Sequence, residues 1–301
     1  MKRAKNVIMT LMVFMAIGSI RVVAEPFARG PYLGQAPPGP VAQVFAPGLI
    51  SDTRPHKGEA WGTFSMDGNT FCFHQRGYVH ITENTDQGWT TPQRIRSIPY
   101  KTAYCCLSPD ANSIYFNYSY APSKSYSPFR CQRTSRGWSK PQELGPPLSS
   151  SARELGFSLA ADNSIYLSSK REGEIGCRIW VAPFVDDTWP RADHISLNHQ
   201  ASDPGIAPDE SFMVFTAINV PGGYGQRDLY LTLHLPNGMW STPQNLGPRI
   251  NSAHFEISPR VSPDKKYLFF TRSNGWWENS NRDTSDICWV ELKEYLPESY
   301  R

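Results

Sequence analysis

The sequence predicts an all-β fold assembled from one repeated unit, and three observations carry that prediction. Charged residues make up only 19% of the 301 residues while aromatics reach 13%, with nine Trp. Disordered chains and coiled coils are charge-rich and aromatic-poor, so both are excluded. Pro (26) and Gly (22) are frequent, as expected of short strands joined by many turns. Most informative is a pattern that recurs five times: a turn Asp followed by a hydrophobic strand.

Before the repeats stands a leader. Residues 1–24 open with Lys2, Arg3 and Lys5, continue through an apolar run from Val7 to Ile20, and end on Val22-Val23-Ala24. A basic start, a short apolar run and small residues at the end are the layout of a secretory signal peptide. The apolar run is shorter than the ~20 residues that span a bilayer, so no stable membrane insertion is expected once the leader is removed. The whole chain carries 30 basic and 27 acidic residues, a net of +3. Four of those basic residues and none of the acids lie in the leader, which leaves 26 against 27, a net of −1, from residue 25 onward. No basic stripe remains to displace counterions, so nucleic acid is not an expected partner. The expected location is periplasmic or secreted.

The repeat cores are FSMDGNTFCF (64–73), LSPDANSIYF (107–116), LAADNSIYLS (159–168), IAPDESFMVF (206–215) and VSPDKKYLFF (261–270). Their turn residues Asp67, Asp110, Asp162, Asp209 and Asp264 are 43, 52, 47 and 55 residues apart. An Asp at such a turn is expected to bond the local backbone. With their preceding strands, the cores occupy residues near 59–73, 102–116, 154–168, 201–215 and 256–270 of one domain covering 25–301. A second alternating strand follows each core, and three units then add Trp-x-x-Pro, beginning at Trp89, Trp138 and Trp240. The third unit shortens this to Trp189-Pro190, and the fifth lacks it. The missing piece lies at the other end of the chain: residues 41–51 (VAQVFAPGLIS) are similar to 241–252 (STPQNLGPRINS) and to 140–150 (KPQELGPPLSS). The N-terminal segment can therefore supply the last unit's outer strand, closing a ring of four-stranded sheets without open edges. The prediction is a single β-propeller closed by an N-terminal strand. Five blades are favoured. At about 55 residues per unit, against ~40–45 in common blades, a sixth degenerate blade is allowed.

The Ser-Pro-Asp hairpins at Ser108-Pro109-Asp110 and Ser262-Pro263-Asp264 resemble the WD-like (PD40) propeller repeats of the TolB type. The resemblance spans residues 35–290. The third and fourth cores depart from it, with Ala161 and Pro208 but no Ser. It implies the propeller fold, and it leaves function broad. The family includes periplasmic binding and scaffold proteins, propeller domains of peptidases, and some polysaccharide lyases.

In a propeller the first strand of each blade lines the central channel, so equivalent positions converge at one mouth. Glu59, Glu154 and Glu256 each stand eight residues before their turn Asp. Thr102 and Ala201 hold that position in the other two units, with Asp203 two residues beyond Ala201. His56, Arg153, His199 and His254 lie just upstream of these positions, and Arg260 lies on the fifth inner strand. Carboxylates brought together raise each other's pKa unless cations offset them. This cluster could bind a ligand, hold a divalent cation as a candidate cofactor, or perform acid–base chemistry. It could equally hold the blades together through bonds to backbone and Arg. Trp276-Trp277, in a loop spanning 273–286 with Arg282, could stack on sugar rings or simply pack there.

Other motifs exclude more than they suggest. No Gly-x-Ser-x-Gly elbow, phosphate-binding loop or dinucleotide fingerprint occurs. The six cysteines (72, 105, 106, 131, 177 and 288) form no C-x-x-C pair, and both disulfides and buried thiols remain open. The expected function is an exported ligand-binding or protein-interaction module with a charged site at the channel and a protein or glycan partner. The alternative is a carbohydrate-active enzyme, a lyase or hydrolase. A lyase for acidic sugars would require Arg153, Arg260 and a His on one cavity.

Overall fold

The computed structural model describes residues 26–52, 58–119, 126–171, 176–274 and 285–301. The leader, His56, Trp276, Trp277 and Arg282 lie outside the described residues. The described chain is almost entirely β, and its helical pieces are short 3-10 turns such as Pro31–Gly34 and Glu298–Tyr300.

Each repeat forms an antiparallel meander. The inner strands are Glu59–Phe64, Ala103–Leu107, Glu154–Leu159, Ala201–Ile206 and Phe255–Val261. Each pairs with a second strand: Thr70–Gln75, Ser113–Tyr118, Ile165–Ser169, Phe212–Ile218 and Tyr267–Ser273. The third strands are Tyr78–Thr85, Ser127–Thr134, Arg178–Ala182, Arg227–Leu233 and Ser285–Glu291. Gln93–Arg94, Gln142–Glu143, Asp193–Ile195 and Gln244–Asn245 follow as short outer strands in the first four repeats. In the fifth, the outer place is taken by Gln43–Val44, with Gln43 opposite Trp289 and Val44 opposite Cys288. A single parallel pairing, Arg227 with Phe255, merges the fourth and fifth repeats into one eight-stranded sheet. Each inner strand lies beside that of the next repeat, and the fifth lies beside the first.

The turn Asp residues act locally. Asp67 Oδ1 accepts from Ser65 Oγ (2.5 Å) and from the Asn69 N–H (3.0 Å), and Ser65 Oγ also accepts the Thr70 N–H. The second and fifth turns repeat this with Ser108–Asp110 and Ser262–Asp264. Where the sequence has Ala160 and Ala207 in place of that Ser, a serine two residues after the Asp supplies the hydroxyl: Ser164 to Asp162 and Ser211 to Asp209. Burial pushes Asp67, Asp110, Asp209 and Asp264 upward, but these donors, with Lys265 on Asp209 and Tyr32 on Asp264, outweigh it and hold all four below the usual Asp range.

The core lies between neighbouring sheets. Phe45 and Ile50, from the N-terminal segment, join Phe64, Phe71, Phe269 and Trp289 in one buried cluster that spans the first and fifth repeats. All six cysteines are buried free thiols.

One feature of the inner strands prepares the site. Every one of them breaks register near its start, after Ala60, Ala103, Ser202 and Ile257 and, one position earlier in the repeat, after Glu154. Four of these bulges hold a non-glycine residue at positive φ: Trp61 (56°), Tyr104 (57°), Asp203 (51°) and Ser258 (54°). Gly156 occupies the matching position in the third repeat. A bulge re-aims side chains, and strained φ values are kept where surrounding structure fixes them.

Candidate functional site

The three inner-strand glutamates are fully buried, and each is engaged in the same kind of latch. Glu59 accepts from Gln75 Nε2 (2.9 Å) and from the Asp52 N–H (3.2 Å). Glu154 Oε1 accepts from Ser150 Oγ (2.5 Å) and Arg171 Nη2 (3.0 Å). Glu256 accepts from Ser252 Oγ and its N–H and from Arg272 Nε (2.9 Å). The same partner, on the second strand or just after it, also donates to a carbonyl of the incoming loop: Gln75 to Ile50, Arg171 to Pro147 and Arg272 to Ile250. The glutamates thus tie three of the five inner strands to the loops that enter them.

Glu59 has no cation in its latch. Burial, with smaller contributions from the Asp286 and Asp52 charges, pushes its carboxyl up to about 7. The folded protein therefore holds a proton that the unfolded chain has lost above its ordinary Glu pKa. The stability contributed by Glu59 is fully present below about pH 4.5 and is lost as pH rises through about 7. Denaturant titrations between pH 5 and 8 are expected to show this loss, and Glu59→Gln should reduce it by about 1–3 kcal/mol. An unchanged pH slope in the variant would assign the loss to other groups.

Arg260 is buried and occupied with backbone. It donates to Pro259 O (2.7 Å), Pro204 O (3.3 Å) and Phe157 O (2.8 Å), joining the third, fourth and fifth inner strands. His199 is half-buried against the Tyr230 ring (5.7 Å between centroids), and His254 is exposed.

A cavity of about 270 Å³ opens at the starting ends of the inner strands and is lined by residues of the second to fifth repeats. Arg153, Lys170 and Gln200 are its exposed lining residues, and Arg227 is half-buried. Ser202, Asp203, Tyr104 and Cys177 are its buried polar side, with Leu155, Ile218 and Ile257 among its apolar walls. Among the described lining residues there are thus three cations and one carboxylate.

Asp203 is only 2% exposed, and its Oδ1 has no hydrogen-bond partner among the described residues. Burial raises its pKa above the usual Asp value, although Arg227, Arg260, the Ser258 N–H and the nearby Ser202 hydroxyl pull the other way. Gly156 lets Asp203 and the Tyr104 ring pack directly against its backbone. A Cβ there would stand 2.7 Å from Asp203 Oδ1 and 2.9 Å from the Tyr104 ring.

Of the sequence candidates, Arg153 and Asp203 therefore line the cavity, while Glu59, Glu154, Glu256 and Arg260 are held by local partners. His199 and His254 do not line it. The Arg153, Arg260 and His arrangement required of a lyase is not assembled among the described residues. Nor do they contain a group of three or more His, Cys, Asp or Glu placed to hold a metal ion. Sequence reading missed Tyr104, Lys170, Ser202 and Arg227. The available signal was the position two residues beyond the glutamates, where Asp203 already stood.

No protein-family model matches the chain, and no curated protein matches it. Among solved structures it is similar to the putative TolB from Agrobacterium tumefaciens, at 14% identity over 72% of this chain and 70% of that one, with a TM-score of 0.50. TolB from Acinetobacter baumannii is 10% identical over 78% of this chain and 57% of its own, with a TM-score of 0.49. A thermostable family-43 glycoside hydrolase is 12% identical over 77% and 89%, with a TM-score of 0.47. The first likeness supports a propeller-type fold and speaks of fold alone. Among the described residues no helix is long and apolar enough to cross a membrane.

Proposed function

We propose that the chain is an exported five-bladed β-propeller, closed by its N-terminal segment, that binds a small organic anion at the channel mouth. The observation that carries the binding reading is the cavity's charge: among the described lining residues, Arg153, Lys170 and Arg227 stand with one acid, Asp203. Cations gathered around a concave, partly apolar site attract and orient an anion, and charge-assisted bonds are the strong ones. Export rests on the leader, and closure rests on the pairing of Gln43–Val44 with Ser285–Glu291. The glutamate latches then act as blade-to-blade fasteners around the site.

Calorimetric titration of the mature chain tests the reading. The probes are small carboxylates (succinate, malate, propionate and lactate), with neutral erythritol as control. At least one anion is expected to bind saturably, erythritol not at all. The double variant Arg153→Ala/Lys170→Ala should weaken binding by about tenfold or more. Added salt should weaken it further, because both side chains are exposed. Equal binding of erythritol, or a double variant with unchanged affinity, would remove the basis for an anion site.

A further inference from the structure

The order of charged and apolar residues along the cavity narrows the ligand class, given that the site takes a small anion. Arg153 and Lys170 are exposed, so they stand where solvent reaches the mouth. Exposure then falls along the inner strands as the lining turns apolar. In the third repeat the exposed Arg153 is followed by the half-buried Leu155, and in the fifth the half-buried Phe255 is followed by the buried Ile257. Arg227 joins the two regions. The sheet register sets it opposite Ile218 on one side and beside Phe255 on the other, so a half-buried cation adjoins two half-buried apolar side chains. Ile218 and Ile257 belong to none of the packed clusters between sheets among the described residues. They line the cavity instead. Its buried polar groups Ser202, Asp203 and Cys177 are only 1%, 2% and 4% exposed, so they offer an occupant little surface. An apolar cavity of about 150 Å³ holds a benzene molecule. The cavity's 270 Å³ leaves room for one ring and a short carboxylate-bearing arm.

We infer that the cavity recognises amphiphilic carboxylates: the carboxylate is held by Arg153, Lys170 and Arg227, and an apolar group about the size of one ring lies against Leu155, Ile218 and Phe255. The apolar group is the selected feature. It leaves water for a wall that is itself wetted when the cavity is open, and the gain grows with the apolar area covered. The cations set the direction of entry. With charge at the mouth and apolar side chains further in, the apolar group enters first and the carboxylate stays where it is partly solvated. A short acid with no such group meets the cations but leaves the wall uncovered.

Three probes test this in the same calorimeter: propionate, 3-phenylpropionate and the neutral 3-phenylpropan-1-ol. The wild-type protein should bind 3-phenylpropionate about tenfold or more tightly than propionate, and more tightly than the alcohol. The first comparison reads the apolar wall and the second reads the cations. Ile218→Asn should lower the ratio of 3-phenylpropionate to propionate affinity by about threefold or more. Ile218 ends its strand, is half-buried and lies outside the packed clusters, so the variant is expected to fold. The wild-type comparisons decide the matter if it does not. A wild-type ratio under about tenfold, or one that the folded variant keeps, would overturn the inference and leave the anion site standing. If the alcohol binds at least as tightly as 3-phenylpropionate, or neither carboxylate binds, the anion site falls and the inference with it.

Discussion

Arg260→Met is expected to destabilise the protein by about 3–5 kcal/mol in urea unfolding. The side chain is 4% exposed and donates to three carbonyls on three inner strands: Phe157, Pro204 and Pro259. Methionine fills most of the volume but donates nothing, so three buried acceptors lose their partner at once. The cation also favours the ionised form of Asp203, which burial opposes. Its loss should therefore raise the Asp203 pKa further. Arg260→Lys separates these contributions. An ammonium keeps the charge, yet it is a point donor where two guanidinium nitrogens now reach in different directions. The lysine variant should recover less than half of the loss. If Arg260→Met unfolds within about 1 kcal/mol of the wild type, the three bonds contribute little and the inner strands are held by other contacts.

Arg260 also shows where sequence reading stops. The repeated Asp turns were legible because the hydrogen bonds that need them are local, spanning two to five residues. The N-terminal partner of the last repeat was legible because residues 41–51 still resemble the outer segments of other repeats. The role of the inner-strand acids was not legible at the same level. Repetition identified equivalent positions, but whether Glu256 meets solvent or Arg272 depends on a cross-strand neighbour sixteen residues later. That spacing recurs from Glu59 to Gln75, and with one extra residue from Glu154 to Arg171. A search for paired positions would therefore have found the latch. The bulges were harder to foresee. Strict alternation places positions i and i+2 on one face, so nothing in the pattern separates Ala201 from Asp203. The extra residue in each inner strand breaks that equivalence, and with it the cavity passes to Tyr104 and Asp203 rather than to the glutamates.

Phe45→Ala is the most direct test of closure by the N-terminal segment, with an expected cost of about 3–5 kcal/mol. Phe45 is fully buried, and its ring lies 5.4 Å from Phe71 of the first repeat and 5.1 and 5.2 Å from Phe269 and Trp289 of the fifth. Its N–H donates to Ile287 O (2.7 Å), and its carbonyl accepts from Ser51 Oγ. Truncation thus opens a cavity where the first and last repeats meet, and it leaves the short backbone pairing at Gln43–Val44 with little to hold it. Val44→Ala is the control. Val44 is 39% exposed on the same strand and should cost no more than about 0.5 kcal/mol. Hydrogen exchange adds a positional readout. If the segment joins the two ends of a ring, amides of Glu59–Phe64 and Ser285–Glu291 should lose protection together in Phe45→Ala, ahead of those in Glu154–Leu159. Comparable costs for Phe45→Ala and Val44→Ala, or protection lost evenly across all repeats, would mean that the segment lies on the ring without closing it.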